Sequence, residues 1–389
     1  MFVYPPPLRS YAYSFVKFKT LPFSLLWALT TVSFPSSAAD SIDGNNSNGQ
    51  VHLTGGEYRE IVGLGFTVTI GSTSENQILS SAHVELDGVI AHDVYGIANF
   101  QSASFGSVIT VQSLDSTVLI RNGSTTGPDS EIYGAIATAD GSMSTVHTLA
   151  SGTTLSIYDS DLQGIVWGQL AQTYPMHADA TLEARNANVL LEGSSLTGYV
   201  LGNAASGYIT PASAQYIVTN GSTTIRDTRI TGDTPTGVVD GTVAVVGGYM
   251  LPYLAEGSGS FSSNSVSIEG DSDITGGVYG ALAELNGSSF TNFTAQGNTV
   301  VIRSGTIDGK IVGAAVATYD GSVESAVLTS NSIVLRGGTD LSKADLMGYE
   351  VTGSIVSIET SGNALIVDGY KGTVNSINRF DRIVFQNVV

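Results

Sequence analysis

Asn298-Thr-Val-Val-Ile-Arg-Ser-Gly-Thr-Ile-Asp-Gly-Lys-Ile-Val-Gly-Ala-Ala-Val-Ala, residues 298–317, carries the fold in one line. Val300 and Ile302 alternate with Thr299, Val301 and Arg303, the period of two that marks a strand. Ser304-Gly305-Thr306 and Asp308-Gly309 read as turns on either side of a short stretch begun by Ile307. Ile311 to Ala317 is a longer strand, nearly apolar on both faces. Asp320-Gly321-Ser322 turns once more before a third strand over 323–328.

The same text recurs. Asn264-Ser-Val-Ser-Ile, Asn331-Ser-Ile-Val-Leu and Asn363-Ala-Leu-Ile-Val repeat the opening of Asn298-Thr-Val-Val-Ile, at Asn-to-Asn intervals of 34, 33 and 32 residues. A second marker, an apolar or aromatic residue followed by Gly, recurs at Gly96, Gly134, Gly168, Gly202, Gly247, Gly280, Gly313 and Gly348, with steps of 38, 34, 34, 45, 33, 33 and 35. Eight units are visible and a degenerate ninth closes the series. The step of 45 is read as an insertion around residues 249–263. A fixed period with three strands and three turns per unit predicts an all-β solenoid, a parallel β-helix of about eight or nine coils. A propeller blade needs four strands and usually more than about 40 residues. Asn at one corner of each coil is expected to pass amide hydrogen bonds up the stack. Gly after the apolar pair is expected to allow a bend or the close approach of a neighbouring coil. Tyr95, Tyr133, Trp167 and Tyr279 share one repeat position and predict an aromatic ladder. Facing inward it would be core, the reading favoured here; facing outward it would line a glycan-binding strip.

Composition fits a stacked β protein. Of 389 residues 46 are Gly, only 13% are charged, and there is no cysteine. Stability must then come from stacking rather than disulfides. The net charge is −19. Such a surface repels phosphate backbones, so no nucleic-acid partner is expected.

Residues 1–39 read as a secretory signal. Lys17 and Lys19 precede an apolar core from Leu21 to Phe34, and Ser37-Ala38-Ala39 offers small residues before Asp40. That core is too short for a bilayer-spanning helix, which needs about 20 apolar residues. No integral membrane segment is expected after cleavage. Residues 40–50, polar and of low complexity, are expected as a disordered lead-in, and 51–389 as the β-helix.

With this repeat, signal and composition the chain resembles the passenger region of bacterial autotransporters, the self-exporting proteins of Gram-negative outer membranes. The resemblance rests on the NxVxI…G…VYGA pattern, best seen in 264–281 and 298–315, and on the closing Val374-Asn-Ser-Ile-Asn-Arg-Phe-Asp-Arg-Ile-Val-Phe. It implies a right-handed parallel β-helix displayed at the cell surface. It also implies adhesion, autoaggregation or host contact through glycans or proteins, a role in virulence, and no catalysis. The translocator barrel of that family, about a dozen alternating strands, is absent from this sequence. Without it a periplasmic or released product, or a truncated relic without its own function, is the alternative. A carbohydrate-active β-helix enzyme, a lyase or hydrolase, is a further alternative.

No site of chemistry stands out. His52, His83, His92, His147 and His177 form no metal-ligand spacing, and no metal or cofactor is expected. Gly270-Asp271-Ser272-Asp273 departs from both the Gly-Asp-Ser-Gly and the Gly-Asp-Ser-Leu nucleophile motifs at its fourth residue, and every His precedes Ser272. Asp308, Asp320, Asp340, Asp345 and Asp368 are spread one or two per coil and read as turn formers rather than paired catalytic acids.

Overall fold

The computed structural model describes residues 41–387 except 66–73, 104–107, 142–144, 175–178, 209–212 and 234–240. The signal assigned to 1–39 therefore lies outside the described residues. The chain winds as a parallel β-solenoid of about nine coils. Its strands gather into three sheets, here A, B and C, of 14, 11 and 9 strands among the described residues. Every named strand pair is parallel, and the register holds from coil to coil apart from shifts at Val243/Val245, Gly257/Ser258 and Leu341/Asp345.

One coil runs Thr299–Ile302 in sheet B, Thr306–Tyr319 in sheet A, and Ser322–Thr329 in sheet C. Ser332–Arg336 then lies on Thr299–Ile302 one coil on. The corners are set by backbone handedness. Between sheets C and B, nine successive coils place one residue at positive φ: Ser81, Asp115, Gly152, Asn186, Asn220, Ser263, Gly297, Ser330 and Gly362. Gly, Asn and Asp reach that region at the lowest steric cost, and Ser fills the other corners. At the corner from A to C, Asp320 rather than Gly321 carries the positive φ.

The alternation of each strand sends one set of side chains inward. Val300 and Ile302 of sheet B meet Ile307 and Ile311 of sheet A in one core column. Ala314 and Val316 meet Val323, Ala326 and Leu328 of sheet C in a second.

Two expectations change. Residues 42–50, expected as a lead-in, are folded. Ile42–Asp43 pairs with Ile61 and Val62 in sheet A, and Gly44–Ser47 forms a 3₁₀ turn capped by the Asp43 side chain. The Asn45 amide closes on Gly65, donating from Nδ2 to the carbonyl (2.6 Å) and accepting from the N–H (2.9 Å). The polar run is thus an end cap, satisfying backbone groups of the first coil. The insertion is not at 249–263. Val243–Tyr253 and Glu256–Ser262 are regular strands of sheets A and C. The extra residues fall between Thr231 and Val243, earlier in the same coil. Gly-Ser-Gly-Ser over 257–260 looks like a loop, but its Ser residues take the outward places of a strand whose inward Phe261 is buried.

Candidate functional site

The repeated residues hold the coils together. The Nδ2 of Asn264 donates to Asn298 Oδ1 (3.0 Å), that of Asn298 to Asn331 (2.9 Å), and that of Asn331 to Asn363 (3.1 Å). The backbone N–H of each Asn donates to the same oxygen. All four are buried. Each rung therefore satisfies one backbone and one side-chain donor of the coil before it.

Toward the N-terminus the corner position holds Gly221, Ala187, Thr153, Ser116 and Ala82, and no Asn. There the vacancy is filled from sheet A. Asn203 Oδ1 accepts from the Ala187 N–H (3.1 Å) and from Gln169 Nε2 (2.8 Å), and its Nδ2 reaches Thr219 O (2.6 Å) and Asn264 Oδ1 (3.4 Å). Sequence reading missed this handover because Asn203 and Gln169 directly follow another signal, the Gly202 and Gly168 marks.

The Gly marks follow from close approach, not from φ, since none has positive φ. A Cβ at Gly202, Gly280 or Gly313 would stand 2.5 Å from the carbonyl oxygen of the next Gly in the row, and one at Gly247 2.7 Å. Gly96, Gly134, Gly168 and Gly348 are tighter still, and Gly63 belongs to the same row.

A third ladder went unread. Ser160, Ser194, Thr228 and Ser272 lie one coil apart at the corner between sheets B and A. The N–H of Ser160 donates to Ser194 Oγ, that of Ser194 to Thr228 Oγ1, and that of Thr228 to Ser272 Oγ, at 3.2–3.3 Å. Ser272 itself is buried and donates its hydroxyl to Glu269 O (2.6 Å). The Gly-Asp-Ser-Asp stretch is a rung of this ladder.

The aromatic position divides. Tyr95 stacks on Tyr133 (centroids 5.2 Å, planes 9° apart), and Tyr133 on Trp167 (5.6 Å, 10°). Leu201 and Val246 then take the position before Tyr279. These side chains lie on the face of sheet A turned away from sheets B and C, and the cluster they form draws on sheet A alone. Trp167, Tyr279, Leu201 and Val246 are nonetheless buried. The ladder is thus outward from the solenoid but not a surface. Its stacked ring faces are spent on one another, which removes the face a sugar ring would need. On this side Glu284 is fully buried and accepts from Tyr249 Oη at 2.6 Å. Burial, reinforced by the Glu284 charge, holds the Tyr249 phenol well above its usual range.

Sheet B turns charge outward. Arg121 bridges Glu85 (2.7 Å) and Asp87 (3.2 Å), and His52 meets Glu85 at 3.0 Å. Further along, Arg226 pairs with Glu192 (3.2 Å) and Glu269 (3.0 Å), Arg303 with Glu269 (3.0 Å), and Arg336 with Asp368 (2.9 Å). Partial burial works against ionisation of Glu269. Hydrogen bonds from Ser267, Arg226 and Arg303 outweigh it and hold the carboxyl below its usual range. That contribution is present above the unfolded carboxylate value and is lost as pH falls through the lowered one.

The acids considered for chemistry are engaged singly. Asp308 pairs with Lys343 (3.1 Å), Asp368 with Arg336, and Asp340 accepts from the Ser342 N–H (3.0 Å). Asp345 accepts from Ser376 Oγ (2.6 Å) and Asn375 Nδ2 (2.9 Å). His83 lies in sheet B and His92 in sheet A. His177 is outside the described residues. No group of three or more His, Asp or Glu converges among the described residues.

The outer face of sheet C is different again. One column across it reads Thr110, His147, Thr181, Gln215, Ser258, Asn292, Ser325, Ser357. A second reads Thr219, Ser262, Gln296, Thr329, Ser361. From Gln215 onward both columns carry only hydroxyls and amides, repeated at the strand spacing of about 4.8 Å, and the column between them holds Ile217, Ser260, Thr294, Val327 and Glu359. It is the candidate contact surface. No family model, curated protein or solved structure matches the chain.

Proposed function

We propose that this chain is an exported, surface-associated β-helix passenger of the autotransporter kind that acts by binding, in adhesion or autoaggregation, through the outer face of sheet C. The observation that carries this reading is the division of labour among side chains. Asn, Gly, Ser/Thr and inward apolar residues are consumed in stacking, the longer part of sheet A around Trp167, Leu201, Val246 and Tyr279 is buried on both faces, and sheet B pairs its own charges. From Gln215 onward sheet C presents two rows of uncharged donors and acceptors in fixed register, where sheet B sets one such row, Thr154, Asn188, Ser222, Ser265, Thr299 and Ser332, beside its ion pairs. Such groups suit the hydroxyl-rich surface of a glycan or the backbone of a protein, with many weak contacts adding along a rigid array.

The test places lysines across one column. Ser258→Lys, Asn292→Lys and Ser325→Lys together should abolish cell adhesion and autoaggregation, with the thermal midpoint within about 3 °C of the parent, since surface changes cost little. Adhesion that survives in a folded triple variant would remove sheet C from the account.

A further inference from the structure

The corner between sheets C and B takes one long side chain per coil, supplied from either of two places. At Asn264 and Asn298 the corner residue supplies it, and sheet A answers with Ala281 and Ala314. In earlier coils sheet A supplies it: Asn203 with Ala187 at the corner, Gln169 with Thr153, and Ile97 with Ala82. The Gly221 and Gly248 coil takes the amides of its neighbours. A Cβ at Gly221 would stand 2.8 Å from Asn203 Nδ2, and one at Gly248 2.6 Å from Asn264 Nδ2. The coil between Ala82 and Thr153 breaks the rule. It sets Ser116 at the corner and Ala135 in sheet A, both short.

Polar atoms without partners gather at this rung. Ser116 Oγ, Thr153 Oγ1 and Gln169 Oε1 are buried and unbonded among the described residues. Ser116 and Thr153 are 1% exposed and Gln169 0%. The next corner N–H groups find acceptors, Ala187 in Asn203 Oδ1 (3.1 Å) and Gly221 in Asn264 Oδ1 (3.0 Å). Those of Ser116 and Thr153 find none among the described residues. Gln169 Nε2 and the Gly152 N–H share Arg185 O (2.6 and 3.2 Å), which sets the Gln169 carboxamide beside Thr153. The amide row itself shows what is needed. From Gln169 through Asn203, Asn264, Asn298 and Asn331 to Asn363, each Nδ2 or Nε2 donates to the oxygen of the following rung. At the far end Asn363 Nδ2 donates to Asp381 Oδ2 (3.0 Å). Gln169 Oε1 alone in the row has no donor.

We infer that this rung binds an ordered internal water, which serves as the first member of the ladder. The water donates to Gln169 Oε1 and is held by the hydroxyls and N–H groups of Ser116 and Thr153. Those two corners lie one strand spacing apart, about 4.8 Å, a gap that one water spans with ordinary hydrogen bonds of about 2.8 Å. Buried water takes such places, polar, roomy and offering two to four partners. Thr223 marks the contrast. Its Oγ1 is also buried and unbonded, but it stands in a row with Val189 and Val266, and a Cβ at Gly202 would lie 2.6 Å from it. That site has neither the partners nor the room for water.

In the ¹⁵N-labelled full chain, rotating-frame Overhauser spectra should show cross-peaks from the water line to the Thr153 and Ser116 amide protons. Thr153→Val keeps the shape and removes one partner of the water, so the thermal midpoint should fall by about 1–2 °C; Thr223→Val removes an unsatisfied hydroxyl and should raise it by as much. Ser116→Asn recreates the Asn298 and Ala314 pairing and should erase the water cross-peak at Thr153. Absence of the cross-peaks in the parent, an unchanged or raised midpoint in Thr153→Val, or shifts of the same sign in both valine variants would each overturn the inference. So would a water cross-peak that persists in folded Ser116→Asn. If a variant does not fold, the parent spectrum decides.

Discussion

A single Asn in this chain does the work of two residues. Asn331 accepts from both donors of Asn298 and gives its own Nδ2 to Asn363 Oδ1 and Ala295 O (3.0 Å). Asn331→Ala leaves two buried donors unpaired on Asn298, at about 1–3 kcal/mol each. The urea midpoint should fall accordingly, at unchanged slope. Asn331→Asp should be worse, since it also buries a carboxylate between coils, although Asp serves at position 381, where the ladder ends. Gly280→Ala should cost at least about 2 kcal/mol, because its Cβ meets a backbone carbonyl that has no room to yield. Glu60 has the opposite sign. Burial, then Asp93 and Asp43, raise its carboxyl above the ordinary value, against the smaller effect of Arg59. Stability is therefore lost as pH rises through the unfolded value toward the raised one. Glu60→Gln should raise the thermal midpoint at pH 7 by about 1 °C and leave it unchanged near pH 3. Equal shifts at both pH values would contradict this. The four Asn rungs were legible because the same letter recurs at a fixed period. Asn203, Gln169 and the Ser/Thr ladder were not, because small residues at a turn look alike whether or not they bond across coils.

At the scale of an element, sheet A shows where period alone misleads. An apolar strand over 311–317 was visible in the sequence, as was its aromatic position, whereas the strand itself runs Thr306–Tyr319, through the turn expected at Asp308-Gly309. That its outer face is buried was not visible, because alternation separates two faces without saying what lies on either. Trp167→Ala should cost about 3–5 kcal/mol, the price of a core aromatic rather than of a surface one, read from the same denaturation curves. A change under about 1 kcal/mol would return the ladder to the surface. The displaced insertion has a similar origin. The 45-residue step runs from Gly202 to Gly247, and the extra residues lie within it between Thr231 and Val243, while the strand over 256–262 is specified by its inward Phe261 and its register with Ala214 to Thr219. Sheet C was the least legible element. Its outward Ser, Thr, Asn and Gln carry no motif and acquire meaning only when register sets Gln215, Ser258, Asn292 and Ser325 in one line.

For the whole molecule, the repeat made the architecture readable and left its surfaces unread. The solenoid buries much of the outer face of sheet A, pairs charges across sheet B and sets rows of uncharged hydrogen-bonding groups on sheet C, and the ladders at the corners tie successive coils together. The central claim is that these ladders, not coil-by-coil apolar burial alone, lock the stack. Native-state hydrogen exchange at the backbone amides of Asn264, Asn298 and Asn331 tests it most directly, in the parent and in Asn331→Ala. The account predicts slow exchange at all three in the parent. In the variant the Asn298 amide should lose at least tenfold protection, with the loss spreading to the sheet B strands on either side. Fast exchange in the parent, or protection at Asn298 unchanged in the variant, would contradict it.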